Sequence, residues 1–306
     1  MAAKARNSSR IVRMARDVER ARAQAYERSA PESGPERVVK VVAEGDSWFS
    51  YFPPNDVLAS LRNRRWNGWD YQVSERAKAG ALLNDMVYGR DMVDTYQLLE
   101  EQSPDVFLFS GGGNDIAGPE LFVMLYHRKA VEMTAGLPSI NERILQGLVD
   151  EVFLRSYLDL VALIRHKARA IGKPDLPIIM HGYDYAIPDG RGWGGGWGPL
   201  PGPWLDPSLT SKGYDRVRHE AVRRRIVRQL IDAVNATLAK VAQSDRNVHH
   251  VDLRGTLADG EWANELHPTP EGFAAVTCKI EARIRAVLSA AATPERAPRR
   301  RKRRRA

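Results

Sequence analysis

Cysteine is nearly absent from this 306-residue chain, and Cys278 is the only one. A lone thiol excludes an intramolecular disulfide scaffold and a cysteine-based zinc site, and it suits a reducing compartment. Long apolar runs are missing too. No window approaches the roughly 18–20 apolar residues that cross a bilayer. Residues 1–28 carry Arg or Lys every few positions (Arg10, Arg13, Arg16, Arg20, Arg22), so no secretory leader is read there. The expectation is a soluble, cytoplasmic protein. Acids are scarce at one end: between Pro294 and Ala306 eight Lys/Arg face a single acid, Glu295, a local charge of +7. Because the whole chain carries +8, the other 293 residues sum to only +1.

What is present is an ordinary globular body. With 43% hydrophobic and 27% charged residues, a disordered or collagen-like chain is excluded and one large core is expected. Residues 1–36 read as an amphipathic helix (Ile11, Met14, Ala15, Val18, Ala21, Ala25) and a proline-broken linker, residues 37–292 as the folded body, and residues 293–306 as a basic tail. The run from Arg296 to Arg305 is a contact for nucleic acid or an anionic membrane surface, or else a solvated terminus.

Within the body, short β-rich runs alternate with longer helical patterns. Strands are predicted at Val38–Ala43, Tyr71–Ser74, Val106–Phe109, Ile178–Met180 and Val248–Leu253. Helices are predicted at about Asn55–Leu61, Ala81–Glu101, Ile140–Ile171, Tyr214–Ala242 and Pro270–Ala291. In the fourth of these, Arg216, Arg223, Arg224 and Arg228 fall off the apolar side. This alternation predicts an α/β fold: a doubly wound sheet of about five parallel strands with helices on both faces, three layers in all. An insertion at 118–138 and a loop at 182–213 rich in Gly, Pro, Trp and Tyr interrupt it. The second follows a strand, where open parallel sheets bind ligands.

Chemistry-bearing residues recur at the same strand ends. The first strand runs into Gly45-Asp46-Ser47, which exposes a hydroxyl and a backbone N–H at the sheet edge. Gly80 follows the second strand as a candidate backbone donor. The third ends in Gly112-Gly113-Asn114-Asp115, where the Asn114 amide is a candidate donor to a developing oxyanion. His267 precedes the final helix, and histidine is the usual base for a serine nucleophile.

Taken together, these four blocks resemble the SGNH (GDSL-type) hydrolase family, over residues 38 to about 290. The resemblance implies a flavodoxin-like three-layer fold and hydrolysis of a carboxylic ester, acyl or acetyl, on a small-molecule, glycan or lipid substrate. It implies Ser47 as nucleophile, His267 as general base, and the Ser47 N–H, Gly80 N–H and Asn114 amide as the oxyanion hole, with no cofactor or metal required.

One position departs from the family pattern. Asn264 stands three residues before the His, where the family has Asp. An Asn holds the imidazole by a hydrogen bond but lacks the charge that stabilises the imidazolium, and its amide can favour the wrong tautomer. Three replacements are available: a backbone carbonyl, Glu265, or a carboxylate from another loop such as Asp184. The favoured reading is a Ser47–His267 dyad oriented by Asn264 or a main-chain carbonyl. The rival is a catalytically weak or inactive scaffold that binds without turnover.

Substrate-binding candidates are Asp46, Asp115, Trp193 and Trp197, with Trp204 in the same loop. Aromatic faces pack on sugar rings and acyl chains, though they also pin a loop to its domain. His181, at the end of the fourth strand, reads as a buried structural residue or a pocket wall. The G-x-G-x-x-G match from Gly190 to Gly195 leads into prolines rather than a helix, so no dinucleotide site is read there. His249 and His250 are adjacent on a strand and point to opposite faces.

Overall fold

The computed structural model describes residues 37–52, 55–63, 66, 68–193 and 201–292. The expected N-terminal helix, the basic tail and Trp197 lie outside them. Five strands form one sheet: β1 (Arg37–Gly45), β2 (Trp69–Glu75), β3 (Val106–Ser110), β4 (Ile178–His181) and β5 (Val248–Val251), in the order β2-β1-β3-β4-β5. Every neighbouring pair is parallel. That order is the flavodoxin-like one, whose crevice opens at strand C-terminal ends where the chain reverses direction across the sheet. The β-rich runs of β3 and β4 are buried at every position, as central strands covered on both faces must be. The edge strand β2 is mostly half-buried and extends two residues before and one after its apolar signal.

The helices in chain order are α1 (Val57–Arg62), α2 (Leu83–Tyr88), α3 (Arg90–Gln102), α4 (Pro119–Met124), α5 (Arg128–Met133), α6 (Glu142–Gly147), α7 (Leu154–Ala170), α8 (Asp206–Ser211), α9 (Glu220–Ala242) and α10 (Pro270–Ala292). Helices α1 and α10 pack together, while α7 packs against α2, α3 and α9, which gives the two helical layers. Asp56 caps α1, its carboxylate accepting from Ala59 N at 2.8 Å.

Several predicted boundaries differ for identifiable reasons. The single helix expected at 81–101 is two, because Gly89 is extended (ψ −171°) and ends α2 before α3 begins. The helix expected at 140–171 contains a wide π turn at Leu148–Phe153. The insertion at 118–138 folds into two short helices, α4 and α5, and the loop at 182–213 ends in α8.

Arg223 departs from the sequence pattern more sharply. It is fully buried on α9 and donates to Asp206 Oδ1 at 2.7 Å and to the Tyr214 carbonyl at 3.0 Å. Burial opposes ionisation of Asp206, but hydrogen bonds from Arg216, Arg223 and Thr210 hold its carboxyl down to about 2. Losing one partner of a buried pair strands the other charge. Asp206→Asn should therefore lower stability by about 3–5 kcal/mol, read as a reduced denaturant midpoint.

Candidate active site

Ser47 sits two residues past the end of β1, in a turn that Asp46 organises. The Asp46 carbonyl accepts from Phe49 N and Ser50 N, each at 3.1 Å. Its carboxylate accepts from Trp48 N at 3.0 Å, from the Ser110 hydroxyl at 2.8 Å and from the Tyr183 hydroxyl. Gly45 is required by space: a Cβ there would meet the Phe49 ring at 2.8 Å and Ser110 at 2.9 Å. The chain can therefore turn sharply and lift the Ser47 side chain to the sheet edge.

His267 arrives from the opposite side, on the turn before α10. Its carbonyl accepts from Ala263 N (2.9 Å) and Asn264 N (3.3 Å), and in return Asn264 Oδ1 accepts from Leu266 N (3.0 Å) and His267 N (2.9 Å). Trp48, next to Ser47, ties this turn to the end of β1 by donating Nε1–H to the Leu266 carbonyl at 3.1 Å. The result places His267 Nε2 2.8 Å from Ser47 Oγ and His267 Nδ1 3.0 Å from Asn264 Oδ1.

The orientation of the Asn264 amide follows from its partners. Two backbone N–H groups point at one side-chain atom, so that atom must be the oxygen, and the amide nitrogen donates to the Tyr51 hydroxyl at 3.0 Å. An oxygen facing Nδ1 requires the ring to carry its proton on Nδ1. The lone pair of Nε2 then faces the Ser47 hydroxyl, the tautomer that a general base needs.

Neither carboxylate considered as a replacement reaches the imidazole. Glu265 accepts from the backbone N–H groups of Gly190 (2.9 Å), Trp204 (2.7 Å), Leu205 (2.7 Å) and Asp206 (3.1 Å), and its own N–H donates to the Arg191 carbonyl at 3.1 Å. It gathers both ends of the aromatic loop onto the His267 turn. Asp184 accepts from Tyr185 N, Gly255 N and Leu257 N, each at 2.7 Å, and so fixes the loop after β5.

Ser47 and His267 open on a cleft of about 440 Å³ that Gly80, Asn114, Tyr51, Trp193 and Trp204 also line. Gly80 has φ +80°, a conformation that suits glycine, and a Cβ there would meet nothing within 4 Å. Its backbone thus faces open space. Among the described residues neither the Ser47 nor the Gly80 N–H has an acceptor. Asn114 uses one amide N–H on the Ala81 carbonyl at 2.9 Å, which sets the amide plane and leaves the second N–H available.

Other expected contacts point elsewhere. The carboxylates of Asp46 and Asp115, expected among the substrate-binding groups, are turned into the fold: Asp46 as above, Asp115 onto Leu83 N at 3.0 Å. Burial pushes the Asp115 carboxyl up to about 6. Trp193 donates Nε1–H to the Phe52 carbonyl at 2.7 Å, so it both walls the cleft and closes the loop. His181 is buried against Trp48, Phe49 and Tyr183, and burial lowers its basicity. Among the described residues no group of three His, Cys, Asp or Glu could hold a metal ion, and no helix is long and apolar enough to cross a membrane.

Tyr51 belongs to none of the sequence blocks around Ser47, Gly80, Asn114 and His267. Its ring stacks on His267 at 4.3 Å with 27° between the planes, while Trp204 approaches the same imidazole edge-on at 5.4 Å. An aromatic four residues past Ser47 is the available signal, but Tyr51 and Asn264 are 213 positions apart. Burial holds His267 down to about 3, so the resting imidazole is neutral.

The chain resembles solved structures of a Clostridium thermocellum family 3 carbohydrate esterase (12% identity, 84% of this chain and 100% of that one, TM-score 0.47). It also resembles an extracellular lipase from Streptomyces rimosus (16%, 80% and 99%, TM-score 0.44) and a phospholipase A1 from Streptomyces albidoflavus (16%, 80% and 98%, TM-score 0.43). No curated protein sequence gives a match. The profile of the GDSL-like lipase/acylhydrolase family matches residues 43–275, a span that holds all four blocks from Gly45 to His267. The chain belongs to that family of hydrolases.

Proposed function

We propose that the protein is a serine hydrolase that cleaves carboxylic esters through an acyl-enzyme. The observation that carries this reading is the contact of Ser47 Oγ with His267 Nε2 at 2.8 Å, with the ring tautomer fixed by Asn264 on the other side. In the first half-reaction Ser47 Oγ bonds to the acyl carbon and its proton passes to Nε2. The tetrahedral oxyanion takes hydrogen bonds from Ser47 N, Gly80 N and Asn114 Nδ2, each worth about 3 kcal/mol. As that intermediate collapses, the ester C–O bond breaks and the alcohol leaves with the Nε2 proton. A water then gives a proton to Nε2 and its hydroxyl to the acyl carbon, and Ser47 leaves and recovers the proton.

A base held near 3 is weak in the empty cleft. During attack, however, the imidazolium forms beside a developing oxyanion, and opposite charges in a dry site stabilise each other. Tyr51 adds to this by presenting its ring face to the new cation, a contact worth about 0.5–2 kcal/mol. Tyr51→Leu should therefore lower kcat by about 3–30-fold with little change in KM. Tyr51→Phe retains the ring and should lose only a small part of that. Equal losses in the two variants would assign the effect to the hydroxyl rather than to stacking.

A fluorophosphonate probe tests the central claim, since it should label Ser47 and block turnover of short p-nitrophenyl esters. Folded protein that takes no label and turns over no ester would leave the binding scaffold as the better reading. The basic run from Arg296 to Arg305 is proposed as a separate attachment to an anionic polymer or surface.

A further inference from the structure

A second cavity meets the cleft at the nucleophile. It measures about 40 Å³ and shares Ser47, Asn114 and Leu266 with the open side, but it runs the other way, between the loop after β3 and helix α9. Ile116, Ala186, Leu205, Leu230 and Ile231 supply much of its wall, with Trp48 and Tyr183 also facing it. Asp46 and Asp184 also line it, but their carboxylates are taken by hydroxyl and backbone N–H donors. The chamber therefore presents apolar carbon and offers little to a hydroxylated group, whose burial without partners costs free energy.

Size decides what enters. A water-sized group needs about 10–15 Å³ on this scale, so the chamber holds about three of them. The cleft on the His267 side is an order of magnitude larger and walled by Phe52, Trp193 and Trp204. The two spaces differ in size, and Ser47 stands in the walls of both. An ester straddling Ser47 fits in one sense only: its short apolar end in the chamber and its larger end against the aromatic walls.

Building on Ser47 as the nucleophile, we propose that this chamber is the acyl subsite and that the substrates are esters of short acyl groups, about two to four carbons, on a larger alcohol. The alcohol lies on the His267 side, where Nε2 must deliver its proton. A longer acyl chain meets Leu230 and Ile231, both buried on α9, and cannot extend without moving that helix.

The test is a series of p-nitrophenyl esters from acetate to octanoate, run on the full chain, Leu230→Ala and Ala186→Leu. A misplaced methylene in an apolar pocket is worth about 10–200-fold. The unaltered protein should lose at least about 100-fold in kcat/KM between butyrate and octanoate. Leu230→Ala should raise octanoate relative to acetate by about tenfold or more, and Ala186→Leu should lower butyrate relative to acetate by a similar factor. Far-ultraviolet circular dichroism checks that each variant is folded, and either folded variant suffices to read the ratio. A flat series, or variants that scale all esters alike, overturns the acyl subsite. Fluorophosphonate labelling of Ser47 separates the two readings. Labelled protein with a flat series loses only the subsite, whereas unlabelled protein with no turnover loses the hydrolase reading and the subsite together.

Discussion

Ser47→Ala should abolish ester hydrolysis, a loss on the order of 10⁴–10⁶ in kcat, because no other hydroxyl stands against His267 Nε2 among the described contacts. The substitution removes one oxygen from a turn held by the Asp46 carbonyl and carboxylate, so the fold should be unaffected. His267→Ala should cost nearly as much, and the double variant little more than either alone, since nucleophile and base act as one unit. What survives in each case is the contribution of the oxyanion donors, the residue-47 N–H, Gly80 N–H and Asn114 amide, and of substrate binding. The check is single-turnover kinetics on p-nitrophenyl acetate with mass analysis of the acylated chain. Ser47→Ala retaining a tenth of the activity would refute nucleophilic catalysis at this position.

The second large effect belongs to Asn264. Asn264→Ala removes the acceptor of three N–H groups, those of Leu266, His267 and the imidazole Nδ1, and frees the ring to turn. Activity should fall by about 10²–10⁴, the usual worth of a positioned general base. Asn264→Asp should act in the other direction. Its carboxylate inherits the same three donors and takes a fourth from Tyr51, whose hydroxyl changes from acceptor to donor. A negative charge beside the ring favours the imidazolium by about 1–3 pKa units, so kcat at neutral pH should rise on the order of tenfold.

The pH profile gives the sign of that change. The base works only when neutral, and burial keeps His267 neutral down to about 3. In the unaltered protein His267 should therefore cause no fall in kcat/KM between pH 8 and about 4.5. In Asn264→Asp the imidazolium is stabilised, and an acid limb should move up toward the ordinary histidine range near 6.5. An unaltered protein that already shows a limb near 6.5, and does not shift in the variant, would contradict the orientation assigned to Asn264.

Much of this arrangement can be read from the sequence because it depends on local patterns. The β-rich runs at β1, β3 and β4 mark central parallel strands, and Ser47, Gly80 and Asn114 follow β1, β2 and β3 directly. Any fold that orders those strands side by side brings the three residues to one edge. Long-range partners are a different matter. Whether Asn264 selects the right tautomer depends on Tyr51, 213 positions away, and on two N–H groups aimed at its oxygen. Arg223 looks like a polar-face residue until Asp206 is folded against it. Glu265, a candidate partner for the base, is instead taken by the backbone of the aromatic loop. In each case the decisive group is a main-chain donor or a distant side chain, which spacing along the chain does not reveal.

That use of Glu265 has a kinetic consequence. One carboxylate ties Gly190 to the stretch from Trp204 to Asp206, and it belongs to the turn that carries His267. The two stems of the aromatic loop are therefore pinned to the turn that carries His267, and moving them would drag the imidazole out of register with Ser47. A variant that loosens those stems, such as Glu265→Gln, should therefore slow turnover through His267 as well as alter the aromatic walls.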